Sequence, residues 1–494
     1  MSKSGELTTG PVWKNLLFLA GPMIFGIVAV ISVSLVDTYF VGQLGTKELA
    51  ALSFTFPVSL TISSLAIGLG AGASSVVSRA TGSGDEGDAK RLATDSLVLS
   101  TVLVLLISAI GYFTIRPLFS VLGASGEVLD IVERYMQIWY ISMPFLVVPM
   151  VANAIIRAVG DALWPSTVMV LAALLNMAVT PIFIFGWGPV PALNVEGAAW
   201  GTLVARVFTL VFAFWLITRV RRMVIYSLPS WSDLQKSFAK VLKVALPASF
   251  GNAVNPIGIA VVTAFLATYG DDVVAGFGTA TRLESFAVVP MLALSSAIGP
   301  FAGQNWGAGQ FNRVSQALKV SYAACFVWAM VLSVVFWLGS DAIVGLFTSD
   351  PEVIDTASAY VTIVPLSVWG YGWIIVAAGA FNSIGKSLTG LSLYLTRTAL
   401  LYVPLSFVAS LLAQSWSVFS QLRLQMLQAA WPQRSILCGG SHAVKMNLKA
   451  QPSVQTRQRD PSCMLWGNPC QNALCALLIF KGGKKRWART SSPG

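Results

Sequence analysis

Apolar residues along this chain gather into long blocks separated by short polar or basic connections. A helix needs about 20 apolar residues to cross the hydrocarbon core of a bilayer. Blocks of that size lie at 15–41, 48–74, 93–115, 134–157, 163–187 and 196–219, and again at 241–268, 274–302, 316–339, 357–381 and 389–413. Eleven spans are thus expected, and the fold class they predict is an all-α polytopic membrane protein. A twelfth span should follow Ala413, where the apolar pattern breaks off. The stretch "TRVRRMVIYSLPSWSDLQKSFAKVLK" divides the two series and is the short loop richest in cations. Arg79, Lys90 and Arg91 follow the second block and Arg157 the fourth, while the connection after the fifth has no basic residue. The positive-inside rule then puts the N-terminus, the even-numbered loops and the linker in the cytoplasm.

Composition supports this class. Of 494 residues 55% are hydrophobic and 11% charged, with mean hydropathy +0.72; soluble domains carry about 25% charged residues. The net charge of +11 does not signal nucleic-acid binding, because residues from Gln414 onward hold eleven Lys and Arg against one acid, Asp460. Four of the five cysteines and the single histidine, His442, lie there too, so the body has one thiol, Cys325, and no disulfide framework. The first apolar block is too long for a cleavable signal peptide and lacks a small-residue cleavage site.

The two series are related. At an offset of 225 residues Pro22 falls on Pro247, Gly26 on Gly251, Thr38 on Thr263, Phe40 on Phe265 and Gly45 on Gly270. The register holds on to Gly82 with Gly307, Gly84 with Gly309, Tyr135 with Tyr360 and Gly160 with Gly385. An even number of spans per unit gives both halves the same orientation, a parallel repeat of the kind secondary transporters use around a midplane site. A duplicated receptor or structural protein is the alternative. Asp37 breaks the repeat, since Val262 stands at the equivalent place. From Asn15 to Gly45 it is the only carboxylate, and no Lys, Arg or His accompanies it.

The segments "GPMIFGIVAVISVSLVDTYFVGQLG", "NMAVTPIFIFG", "VEGAAWGT" and "RLESFAVVPMLALSSAIGPFAGQNWGAG" resemble the multidrug and toxic compound extrusion (MATE) family, over residues of about 13 to 413. The resemblance is nearest to the prokaryotic branch with damage-inducible members. It implies two six-helix lobes, 1–225 with the ion-coupling site and 226–413, followed by an atypical tail at 414–494. It also implies export of substrates against an inward flow of H⁺ or Na⁺, with no enzymatic chemistry and no cofactor beyond the coupling ion. Carried over by motif, Asp37 is the coupling carboxylate and Pro22 the point where the first helix bends. Asn176 and Thr202 match polar residues of the first lobe. Thr180 departs from the pattern, because many relatives have an aspartate before that proline, so Asp37 is expected to work with neutral partners and the choice of ion stays open.

Low dielectric penalises a carboxylate anion, so a carboxyl within a span can exchange between a neutral and a charged form. Either form biases a two-state transporter. The competing role for Asp37 is packing, through a hydrogen bond to a neighbouring helix. Pro22 removes an amide donor and clashes one turn back, as a moving hinge or as a static kink. Glu284, in "TRLESF", is a possible second-lobe site, or else a local partner of Arg282 or the linker near the cytoplasmic surface. The glycine loops "RATGSGDEGDAKR" and "GQNWGAGQFNR" lack the Lys-Ser/Thr of a P-loop, and no metal site is expected. Met143, Phe145, Trp369 and Tyr371 offer adaptable surfaces for lipophilic cations, or simply core and lipid contacts. The partners expected are therefore small cationic or lipophilic molecules and the lipid bilayer, not nucleic acid, with the chain acting as a monomer in the inner membrane of a bacterium. A lipid-linked oligosaccharide flippase is the alternative; it should carry cations inside its spans to hold a pyrophosphate, and the spans read as nearly free of them.

The tail suggests its own origin. Codons can be chosen for Gln414 to Ala430 whose third-base frame reads VVVGVFAATAANAASG, an apolar stretch like the missing twelfth helix. Cys463, Cys470, Cys475 and His442 fit no paired zinc-ligand spacing, and "KGGKKRWAR" would bind anionic lipid only if cytoplasmic. A frameshift near residue 414 accounts for all of this and would leave the chain an inactive transporter. Sequencing of the locus is expected to show a one-base slip there; an uninterrupted frame running as written would refute it.

Overall fold

The computed structural model describes residues 7–226, 230–347, 350–404 and 406–407. The expected twelfth span and the whole tail, with its cysteines, His442 and basic cluster, lie outside these residues. The first half contains α1 (Val12–Gly42), α2 (Thr46–Gly82), α3 (Glu86–Phe113), α4 (Ile115–Val121), α5 (Gly126–Ser142), α6 (Pro144–Ala158), α7 (Leu163–Phe185) and α8 (Asn194–Trp215). The second contains α9 (Trp231–Leu266), α10 (Asp271–Ala287), α11 (Val289–Gly307), α12 (Phe311–Val344), α13 (Pro351–Ile363), α14 (Pro365–Ser383) and α15 (Ser387–Leu395). No strand occurs among the described residues beyond an isolated bridge between Trp187 and Val190.

Eight single helices are long and apolar enough to cross a membrane, and two bent pairs, α10 with α11 and α13 with α14, bring the number to as many as ten. Among the described residues these match ten of the eleven expected blocks, and the eleventh, 389–413, lies partly outside them. The bend between α10 and α11 falls before Pro290, and that between α13 and α14 before Pro365, where each ring forbids an amide bond to the preceding turn. The eleventh block begins as α15, passes into a π-helical turn at Thr396–Tyr402 and runs beyond the described residues. The linker is also shorter than the sequence suggests: Ser230 caps the Asp233 amide, so helix begins at Trp231. Large apolar side chains such as Phe25, Phe113 and Leu338 are exposed on the outside, as lipid rather than water requires.

The 225-residue offset governs the helix ends. α2 and α11 end on Gly82 and Gly307; α3 and α12 start at Glu86 and Phe311; α5 and α13 start at Gly126 and Pro351. Gly84 and Gly309 turn the chain at φ 82° and 72°, Gly160 and Gly385 at 95° and 81°. A side chain is strained in that region, which accounts for glycine at both members of each pair.

The halves meet along α2 with α9 and along α1 with α11, and most closely where α2 crosses α11. A methyl group on Gly82 would lie 2.0 Å from the Gln304 carbonyl oxygen, and one on Gly307 would lie 2.2 Å from that of Arg79. Arg79 and Gln304 are themselves equivalent under the repeat, so the contact is self-complementary. Arg79 Nη1 donates to the Ser383 carbonyl at 2.9 Å, and Gln304 Nε2 donates to the Ala158 carbonyl at 2.8 Å, again an equivalent pair. The N-terminal segment is tied to the same end, where Asn305 and Arg313 donate to the Leu7 carbonyl at 3.1 and 3.2 Å. This is the end at which the basic loops gather.

Because even one added carbon would strike backbone, Gly82→Ala and Gly307→Ala should each cost about 1–3 kcal/mol. Gly278→Ala, on α10 with open space around it, should be neutral or slightly stabilising. Thermal unfolding of the detergent-solubilised protein, followed by size-exclusion fluorescence, checks this; equal midpoints for all three would contradict the crossing.

Candidate functional site

Two clusters of polar groups lie within the bundle, one in each half. In the first, α1 and α7 run side by side. Ser166 Oγ donates to the Pro22 carbonyl, and the rings of Phe40 and Phe185 meet edge to face at 6.1 Å. Eighteen residues of α1 therefore lie along nineteen of α7, which sets Asp37 level with the Thr180–Pro181 turn. α1 stays one helix through Pro22, and the carbonyl that Pro22 presents is the one Ser166 takes up. Gly26, one turn on, lies against Ser166 and Met169, where a methyl group would come within 3.2 Å of each.

α8 closes the cluster. Gly201 lies so near Thr180 that a methyl group on it would come within 2.5 Å of Thr180 Oγ1. Thr202 Oγ1 accepts from Asn176 Nδ2 at 3.3 Å. Asn176 and Thr180 are buried, and three oxygens here, Asp37 Oδ1, Asn176 Oδ1 and Thr180 Oγ1, have no hydrogen-bond partner. Asn176, Thr180 and Thr202 are thus brought together, at the level of Asp37.

The neutral-partner expectation fails. Arg206, on α8, is within electrostatic reach of both Asp37 and Tyr135. Its guanidinium donates to Ser142 Oγ and lies 5.4 Å from the Trp139 ring centre. It makes no direct ion pair with Asp37, so the charges face each other at a distance. The sequence reading passed over Arg206, although it stands inside the 196–219 block, where an ionisable residue is a functional signal by default.

In the second half Glu284 lies on α10, fourteen residues past Gly270 and so well inside the span. This corrects the surface placement: Glu284 forms no ion pair with Arg282 or the linker, but accepts from Tyr360 Oη at 3.0 Å. Both line a cavity of about 560 Å³ with Arg397, Tyr371 and Tyr402, while Ile31, Ser34, Leu35 and Phe56 face them from the first half. Arg397, likewise passed over, donates to Asn255 Oδ1 at 2.8 Å. Met143 is fully buried, so it serves packing; Trp369 stacks edge-on against Trp373 at 5.0 Å, while Tyr371 faces the cavity. Among the described residues no group of three or more His, Cys, Asp or Glu could hold a metal.

A duplicated all-helical membrane bundle, with a cavity between halves and isolated charges inside its spans, defines a polytopic transporter rather than an enzyme. The particular family follows from the sequence itself: the MatE family model matches residues 22–182 and, a second time, 247–408, and the chain belongs to that family. The two matches start 225 residues apart. The FAD transporter of Shewanella oneidensis is 38% identical over 404 residues, covering 82% of this chain and 89% of that protein. The multidrug export protein MepA of Staphylococcus aureus is 26% identical over 407 residues, covering 81% and 88%. The fold is similar to that of the Vibrio cholerae MATE transporter VcmN in its bent form, with a TM-score of 0.82 at 27% identity over 89% of this chain and 99% of that one.

The closeness of α7 and α8 gives a direct test. Gly201→Ala would drive a methyl into Thr180 and should lower the thermal midpoint by several degrees, for a cost of about 1–3 kcal/mol. The double variant Gly201→Ala/Thr180→Ala should recover part of that loss, measured by the same unfolding assay; no recovery would mean that the contact with Thr180 is not the cause.

Proposed function

We propose that this chain is a proton-coupled exporter of small organic molecules in the bacterial cytoplasmic membrane, working as a monomer by alternating access with Asp37 as the coupling group. The observation that carries the reading is the unpartnered Asp37 oxygen, set level with Thr180 and opposite a fixed positive charge. Protonated, Asp37 can donate to the vacant oxygens of Asn176 or Thr180. Deprotonated, it is drawn towards Arg206. The two forms favour different placements of α1, and a ligand that favours one placement shifts the population. Proton rather than sodium fits the charge count, because Thr180 supplies no second carboxylate and Arg206 already offsets Asp37.

Alternating access is supported by the way the halves meet at one end and leave a cavity towards the other. Phe56 and Glu284 lie 26 and 23 residues from the glycines of the crossing, or about 35–39 Å along their helices at 1.5 Å per residue. The relatives named for FAD transport and for multidrug export bracket the cargo as small organic solutes, and both speak against the flippase reading. Arg206 and Arg397 remove the argument that the spans lack cations, so it is the relatives that disfavour that alternative.

The test uses proteoliposomes holding the full chain, alongside a frame-restored version, with ethidium or norfloxacin as cargo. A pH gradient should drive transport, a sodium gradient alone should not, and Asp37→Asn should lower the gradient-driven rate at least tenfold. Undiminished transport by the Asn variant would remove Asp37 from the mechanism; transport by the sodium gradient alone would assign the other ion.

A further inference from the structure

The second-half cavity carries an excess of positive charge inside the membrane. Among the described residues its ionisable lining comprises Arg282, Arg397 and Glu284, besides tyrosines, two cations against one anion. Among the described residues no ion pair involves any of these three. Glu284 is bonded to Tyr360 and lies within electrostatic reach of Arg397, whose guanidinium donates to the neutral Asn255. One carboxylate cannot offset two guanidinium groups, so the low-dielectric cavity keeps a net positive charge that an anion would balance.

Its surroundings also select a shape. The Arg397 guanidinium lies 4.3 Å from the Tyr371 ring centre and 5.8 Å from that of Tyr402. The contact with Tyr371 and the bond from Nη1 to Asn255 hold the guanidinium in place, and a guanidinium has five N–H donors, enough to meet a phosphate or carboxylate as well. Tyr371, Tyr402 and, across the cavity, Phe56 present aromatic surface on which a planar ring system can lie. A volume of about 560 Å³ suits a drug-sized or dinucleotide-sized guest, within the range of about 300–1,000 Å³ usual for small-molecule sites.

We infer that this cavity binds anionic solutes with planar rings, the acid held by Arg397 with Arg282 at the rim, the rings held by the tyrosines, and Glu284 acting against a second negative charge. The inference rests on the export reading for its purpose and reverses the expectation of cationic cargo. It needs nothing from Asp37.

Riboflavin and flavin mononucleotide share one ring system and differ by a phosphate, which makes them suitable probes for the purified full chain in nanodiscs. Tryptophan quenching should show the mononucleotide binding at least tenfold more tightly than riboflavin. Arg397→Gln should reduce that ratio to about one while changing riboflavin affinity less than twofold. Glu284→Gln should tighten mononucleotide binding severalfold, a gain that misfolding cannot imitate. Equal affinities in the unaltered protein, a ratio unchanged by Arg397→Gln, or ethidium binding more tightly than the mononucleotide would each overturn the inference. Selective phosphate binding without gradient-driven transport would uphold this site and reject the export reading; transport of ethidium with no phosphate selectivity would do the reverse.

Discussion

Helices in lipid gain little from hiding apolar surface from one another, so a contact between two halves of a membrane protein depends on close fit and hydrogen bonds. The crossing of α2 with α11 has both. Gly82 and Gly307 bring each backbone against the other, and a single methyl group at either would overlap a carbonyl. Arg79 and Gln304 then reach across to the carbonyls of Ser383 and Ala158. Since all four positions are paired by the 225-residue repeat, one duplicated local design supplies both sides of the contact. The close fit continues along α2, where a methyl on Gly72 or Gly68 would meet the α9 carbonyls of Val241 or Ala245, and the halves part only beyond that contact. The cavity between them is the result.

Much of this architecture is legible in the sequence. The offset that pairs Gly82 with Gly307 and Gly160 with Gly385 also pairs the helix ends, because a glycine at positive φ is a local requirement that survives duplication. Asp37 stands out for the reason that Arg206 and Arg397 do not. It is alone in a long run without other charges, whereas a single arginine in a block of some twenty apolar residues scarcely alters its average. Periodicity also says nothing of depth. Glu284 follows Arg282 by two residues and looks like a surface partner, yet residues two apart on a helix point in different directions. The bends inside the eighth and tenth blocks escaped notice for the same reason, since a proline bend inside an apolar block leaves its composition unchanged. The tie between Asn176 and Thr202 rests on how α7 meets α8, which no single segment encodes.

The two halves share a scaffold and differ in chemistry. Each holds a carboxylate and an arginine that are within electrostatic reach without a direct ion pair, Asp37 with Arg206 and Glu284 with Arg397. In the first half the arginine is engaged by Ser142 and the Trp139 ring while Asp37 keeps an unpartnered oxygen. In the second half both groups are engaged, Glu284 by Tyr360 and Arg397 by Asn255 and the Tyr371 ring, and both line the cavity, where Arg282 leaves one positive charge in excess. A group already satisfied in a low-dielectric site resists change, whereas an unsatisfied one is worth most to an incoming partner. On the readings proposed above, the first half would receive a cation at Asp37 and the second an anion beside Arg397.

For these sites to act together, something must touch both, and α1 does. It packs along α7 within its own half and against α11 of the other. Its face towards the cavity includes Ser34 and Leu35, less than one turn before Asp37. Thr38 continues the link by donating to the Ser34 carbonyl at 2.8 Å. Loading Asp37 changes what α1 gains from α7 and α8, and occupying the cavity changes what it gains from the second half. In the proposed mechanism both ligands would act on the position of one helix, held near its start at Pro22 by Ser166. Coupling then needs no chain of intermediaries, only a helix whose two faces report to different lobes.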